Sequence, residues 1–170
     1  KRTGIGKVDI LNTVRKEEFL LGEIKFNHKQ LIEIAGVNSE LAWTRTALLG
    51  IIATKQAILD SFIDTSQDIA LVSATTVGGM DRSELYYKDF LNDAKHKKYI
   101  DTHHAGNSTE MIAEQCGLSG LITTISTACS SSLNSIMFGA SLIKTGKTKK
   151  AIVGGTDALS KFTLNGFNTL

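Results

Sequence analysis

Apolar positions along the chain alternate between a spacing of three to four residues and short unbroken runs. Over residues 39–60, SELAWTRTALLGIIATKQAILD, positions Leu41, Thr44, Leu48, Ile51, Lys55 and Ile58 recur at three and four, which predicts a long amphipathic helix with Ser39 as its N-cap. DIALVSA at 68–74 is a β-favouring run ahead of Gly78 and Gly79, and it predicts a buried strand that feeds a loop. Asn107 and Glu110 have the spacing of a capping box and Gly117 suits the left-handed position after a helix, so a second helix is expected between them. LITTIST at 121–127 predicts a strand that ends just before Cys129. From Leu133 the apolar residues Ile136, Met137, Ala140 and Ile143 return at helical spacing as far as Gly146, and KAIVGG at 150–155 predicts another buried strand. Helices alternating with buried strands predict an α/β fold. No repeat, low-complexity tract or linker interrupts them.

This pattern puts Cys129 at a strand-to-helix junction. Peptide N–H groups at a helix start lack intrahelical partners, and the helix dipole adds partial positive charge there, so the position favours an anion. A thiolate so placed can attack a carbonyl, and the N–H of Cys129 itself can face a developing oxyanion. The small neighbours Ala128, Ser130 and Ser131 leave room for a substrate, and the serines offer caps for the helix. By position alone the same cysteine also fits a small buried residue at a crowded strand end.

Composition narrows the classes. The chain has 170 residues, 42% of them hydrophobic and 21% charged, which suits one folded domain with a sizeable core. A net charge of +2 gives no argument for nucleic acid or an anionic membrane surface. No apolar stretch approaches the ~20 residues of a membrane span, and the reading is a cytoplasmic protein whose partners are proteins or small molecules. Cys116 and Cys129 are expected as free thiols. The sequence opens at Lys1 and closes on GFNTL without a helix stop, which reads as a piece of something longer. It contains no proline.

TACSSS at 127–132, followed by a helix, Gly146, a strand and GGTDA at 154–158, resembles the nucleophile region of the β-ketoacyl-acyl carrier protein synthases. GLSGLITTISTACSSS at 117–132 is similar to that family's lead-in to the nucleophile strand, TTVGGMD at 75–81 to its glycine-rich loop, and LNGF at 164–167 to the segment after its double-glycine strand. The helix with Arg45 and Ala47 also fits, and the resemblance runs from about Ser39 to Leu170. It implies a thiolase-like fold, a layered sheet-and-helix half of a two-half architecture, with residues 1–170 as an incomplete amino-terminal half. It further implies that Cys129 takes an acyl group from acyl carrier protein and condenses it with a malonyl thioester. Two histidines and a second oxyanion-hole amide from the carboxy-terminal half complete the family's site, which assembles as a homodimer or, in some branches, as a heterodimer of ketosynthase-like subunits. Neither the residues nor the resemblance calls for a cofactor or a metal.

His103 and His104 adjoin in THHAGNST, but neighbours on regular structure point apart and no ligand cluster accompanies them. By the resemblance His104 and Phe167 belong with the acyl pocket as support residues. His28 and His96 stand among lysines and polar residues and are expected on the solvated surface. DAKHKKY at 93–99 is a basic run that reads either as a solvated face or as a landing patch for an acidic carrier protein. Gly154 and Gly155 allow close packing near Cys129, but a glycine pair after a strand reads, by itself, more readily as a turn. Two other functions fit the same motifs: a non-catalytic ketosynthase-like partner subunit, and a thiolase-type acyltransferase. The cysteine argues against the former, because such partners usually lack it, and TACSSS fits the carrier-dependent synthases better than a thiolase.

Overall fold

The computed structural model describes residues 4–169. A short antiparallel hairpin opens them, β1 (Ile5–Lys7) against β2 (Leu20–Gly22), with Ile5 opposite Gly22. Its loop is gathered by one carboxylate: Glu23 accepts the backbone N–H groups of Asp9, Ile10 and Leu11 at 2.7, 3.0 and 2.7 Å. Burial opposes the ionisation of Glu23, but Lys25 and these three amides outweigh it and hold the carboxyl down at about 2. Helix α1 (His28–Ala35) follows, with a complete capping box from Asn27 and Gln30 and a left-handed Gly36 at its end.

Helix α2 runs Arg45–Ser61, starting five residues later than the sequence pattern suggests, with Thr44 rather than Ser39 as its N-cap. The physical reason lies in Trp43. Its ring is 1% exposed and its indole N–H donates to the Asn38 carbonyl at 2.6 Å, so residues 38–43 fold around the ring as a turn, and Leu41 is left outside.

The main sheet has three parallel strands in the order β4 (Ile122–Ile125), β3 (Ala70–Ala74), β5 (Ala151–Gly155). Between β3 and β4 the chain passes through α3 (Met80–Asn92), a 3₁₀ turn at Ala94–His96, α4 (Lys97–Ile100), a 3₁₀ turn at Asp101–His103, and α5 (Ala105–Cys116). Helix α6 (Ser131–Lys144) connects β4 to β5, and α7 (Lys161–Asn168) ends the described chain.

The central strand β3 is buried along its whole length and serves two layers by alternation. Leu71 joins Leu48, Ile51, Ile69, Ile112 and Trp43 in a core built with α1, α2 and α5, while Ala70 and Val72 meet Leu142 of α6 on the opposite side.

Other expectations change here. Helix α5 starts earlier than predicted and is capped by His104, whose Nδ1 accepts the Gly106 N–H at 3.1 Å, so Asn107 sits inside the helix and forms no capping box. Gly117 does take the left-handed conformation, at φ +64°. Strand β5 is an edge strand and only partly buried, because nothing pairs with its far side among the described residues. The predicted apolar face of α6 is likewise uncovered in this chain: Leu133, Ile136, Met137 and Ile143 are all exposed, Met137 at 61%. His28 is half-buried, with Arg82 donating to its Nε2, and His96 stacks on Tyr86 at 5.7 Å with its Nδ1 buried. Neither ring is free on the surface.

Candidate active site

Parallel strands bring their carboxyl ends to one rim, and the loops that follow them share it. After β3 comes the Thr75–Gly79 loop, after β4 the Thr127–Ser130 turn, and after β5 the pair Thr156 and Asp157. Asp157 ties the first to the third. Its carboxylate accepts Thr75 Oγ1 at 2.6 Å and the Thr76 N–H at 2.8 Å, and Thr76 Oγ1 donates to the Ala128 carbonyl at 3.4 Å. The glycines of this loop permit close approach: a Cβ on Gly79 would stand 2.1 Å from the Thr102 carbonyl oxygen, so the 102–105 segment is packed against it.

Cys129 lies in the turn from β4 into α6 and is exposed. Ala128, just before it, has φ +52°, a left-handed conformation that costs an L-residue roughly 1–2 kcal/mol. The only other non-glycine residue with positive φ among the described residues is Phe62, at the end of α2, where a left-handed cap is ordinary. Ala128 has no such excuse, and it sits next to the candidate nucleophile.

Hydroxyls hold this turn. Ser131 Oγ donates to the Ala128 carbonyl at 2.6 Å and accepts the Thr127 N–H at 2.8 Å. Ser130 Oγ donates to the Thr127 carbonyl at 2.8 Å, and Asn134 Nδ2 donates to Thr127 Oγ1 at 2.8 Å. Ser130 is therefore turned away from the helix start, and no side chain caps α6, although α1, α2, α5 and α7 are each capped by one. The serines do not cap the helix as expected. The unsatisfied amides and the positive end of the helix stay open beside the Cys129 thiol.

Of the residues singled out in the sequence, Ala128, Cys129, Ser130 and Ser131 come together in this turn. Ser131 faces inward at 3% exposure and supports the turn rather than lining a surface. His104 caps α5, His103 Nδ1 pairs with Ser83 Oγ at 2.8 Å, and Phe167 stands exposed on α7. Among the described residues no hydrogen bond joins either histidine to the turn. Thr76 and Asp157 fall in the quoted motifs without a role of their own; a polar residue two positions past the end of a parallel strand is the signal that marks them. Cys116, at the end of α5, is half-buried, and burial pushes its thiol up.

A cavity of ≈290 Å³ lies away from the turn, between the hairpin and helices α2 and α3, and is lined by Glu23, His28, Arg45, Asp81 and Arg82 among others. Its charges are used in packing: Arg45 donates to the Ile24 and Phe26 carbonyls at 2.5 and 2.7 Å, and Arg82 to Trp43 O at 2.7 Å. In the basic run, Lys95 pairs with Asp93 at 2.7 Å and Lys97 with Asp101 at 2.5 Å, which leaves it far less positive than its sequence suggests. No described helix is long and apolar enough to cross a membrane, and among the described residues no three His, Cys, Asp or Glu side chains are placed to hold a metal ion.

Residues 30–170 match the model of the β-ketoacyl synthase N-terminal domain. The chain belongs to the β-ketoacyl synthase family. Over 183 residues it is 24% identical to the ketoacyl synthase alpha subunit of tetracenomycin polyketide synthase from Streptomyces glaucescens, covering 99% of this chain and 42% of that protein. It is 33% identical over 106 residues to probable polyketide synthase 24 of Dictyostelium discoideum, a match to 62% of this chain and 4% of that one. Its fold superposes on the ishigamide ketosynthase/chain length factor with a TM-score of 0.82 at 19% identity, over 99% of this chain and 43% of the other. A ketosynthase solved in complex with its chain length factor, from Xenorhabdus doucetiae, superposes with a TM-score of 0.64 at 26% identity, over 81% of this chain and 35% of the other. The fold is thus the thiolase-like α/β fold of the ketosynthases. This family member spans less than half the length of the S. glaucescens subunit and of either solved chain.

Proposed function

We propose that Cys129 is the acyl acceptor of a condensing enzyme of polyketide assembly, and that residues 1–170 are the amino-terminal half of its ketosynthase domain. The observation that carries this reading is the placement of an exposed cysteine thiol directly after a left-handed alanine, at the uncapped start of α6. In the first step the thiolate attacks the carbonyl of an acyl thioester on a carrier protein, a new thioester forms at Sγ, and the carrier thiolate leaves. In the second a malonyl thioester loses carbon dioxide, its enolate attacks the Cys129-bound acyl carbonyl, and the new carbon–carbon bond returns the Cys129 thiolate. The enolate needs hydrogen-bond donors, which this reading assigns to the carboxy-terminal half.

Two of the named relatives are polyketide synthases, which favours a polyketide over a fatty acid product. The Xenorhabdus ketosynthase is paired with a chain length factor, which favours a heterodimer of ketosynthase subunits here, with a homodimer as the other arrangement. Acyl carrier protein is the acyl donor in this reading, and the cytoplasm its setting. The test is the full-length protein supplied with acyl and malonyl carrier thioesters. Elongated product should form, and Cys129→Ala should abolish it. Undiminished product from that variant would overturn the assignment.

A further inference from the structure

The Ser131 hydroxyl bridges the peptide before Thr127 and the peptide after Ala128. It accepts the Thr127 N–H on one side and donates to the Ala128 carbonyl on the other, at 2.8 and 2.6 Å, from a residue only 3% exposed. The Ser131 backbone N–H reaches the same carbonyl at 3.1 Å. A planar trans peptide points its C=O and N–H in opposite directions. Pinning the Ala128 carbonyl inward therefore turns the N–H of the same peptide, which belongs to Cys129, outward. That N–H has no acceptor among the described residues. Without the hydroxyl the Ala128 carbonyl keeps only the longer bonds from the Ser131 N–H at 3.1 Å and Thr76 Oγ1 at 3.4 Å, against a left-handed alanine that favours relaxing.

We propose that Ser131 is a positioning residue whose hydroxyl aims the Cys129 N–H at the oxyanion formed during acyl transfer. The proposal rests on Cys129 being the acyl acceptor. It separates two reactions of one thiol. Acylation from a thioester passes through an oxyanion that the N–H must meet, whereas alkylation by iodoacetamide is a direct displacement at carbon and develops no oxyanion.

The experiment compares full-length wild type, Ser131→Ala and Ser131→Thr in single-turnover acylation of Cys129 by an acyl carrier thioester and in iodoacetamide alkylation of Cys129, each followed by peptide mass spectrometry. Ser131→Ala should slow acylation about tenfold at saturating thioester and change alkylation by less than about twofold, and Ser131→Thr, which keeps the hydroxyl, should recover most of the acylation rate. Acylation and alkylation falling together would mean a general loosening of the turn and overturn the proposal, as would an unchanged acylation rate. Failure of the underlying reading looks different: wild type would then carry no acyl group on Cys129 at all.

Discussion

Gly155 of β5 lies directly beneath Ser132 in the first turn of α6. A Cβ on Gly155 would stand 2.4 Å from Ser132 Oγ and 2.9 Å from the Ala74 carbonyl oxygen, while one on Gly154 would meet nothing within 4 Å. The pair is therefore no turn; it is a strand end over which α6 is laid, and only the second glycine makes that contact. Ser132 Oγ can swing aside by rotating its side chain, but the Ala74 carbonyl is backbone of the neighbouring strand, so Gly155→Ala should spread β5 from β3 beneath the start of α6, at a cost of about 1–3 kcal/mol. Acylation of Cys129 should slow markedly in full-length Gly155→Ala and stay near wild type in Gly154→Ala. Equal rates in the two variants would show that the contact does not matter to the thiol.

The two cysteines should differ in reactivity. Cys129 is exposed, whereas Cys116 is half-buried and its thiol is raised by that burial, with Lys55 only partly offsetting it. Brief iodoacetamide treatment at neutral pH, followed by peptide mapping, should label Cys129 first. Faster labelling of Cys116 would contradict the exposure described here.

Stability should fall on mild acidification because of His28. Burial, then the nearby Arg82 and Arg45 charges, lower its pKa from 6.5 to about 4, and since arginine only donates, Nε2 must be the unprotonated nitrogen. Above pH 6.5 its contribution is complete. Between 6.5 and about 4 the unfolded chain takes up a proton that the folded chain refuses, so stability declines through that window. Asp81 faces the same cluster from α3, and burial raises its carboxyl above 3.8, which blunts the low end. Glu23 stays ionised to about 2 and does not contribute until the pH drops below 4.5. Thermal melts from pH 7 to 4 should slope downward, and His28→Gln should flatten them. A wild-type melting point constant over this range would refute the pairing.

Glu23 should anchor the opening segment. Its carboxylate collects the N–H groups of residues 9–11, bonds to a charged acceptor that contribute about 1.5–3 kcal/mol each net of the water they replace. Glu23→Gln should raise hydrogen exchange at Asp9, Ile10 and Leu11 well above wild type while Val72, in the buried β3, keeps its protection.

Much of the site was legible in sequence because one strand-to-helix junction carries it. LITTIST and the helical pattern from Leu133 place Cys129 without any knowledge of its neighbours. What stayed hidden depends on distance along the chain. Asp157 reaches Thr75 and Thr76 across some eighty residues, and no periodicity reports that contact. The start of α2 escapes the pattern because Leu41 and Thr44 keep helical spacing while Trp43, an off-face position, captures the core. Similarly, the exposed α6 face reads as core in any hydrophobicity count, since the pattern tells that a face is apolar and not what covers it.

The central claim is that the thiol of Cys129 carries the acyl chain. It is tested most directly by incubating the full-length protein with a single acyl carrier thioester, omitting malonyl substrate, and mapping the adduct by peptide mass spectrometry with and without hydroxylamine, which cleaves thioesters. The account predicts one acyl group per chain, on the peptide containing Cys129, released by hydroxylamine and missing from Cys129→Ala. An adduct on Cys116, on a serine of the 130–132 run, or retained in Cys129→Ala would contradict it.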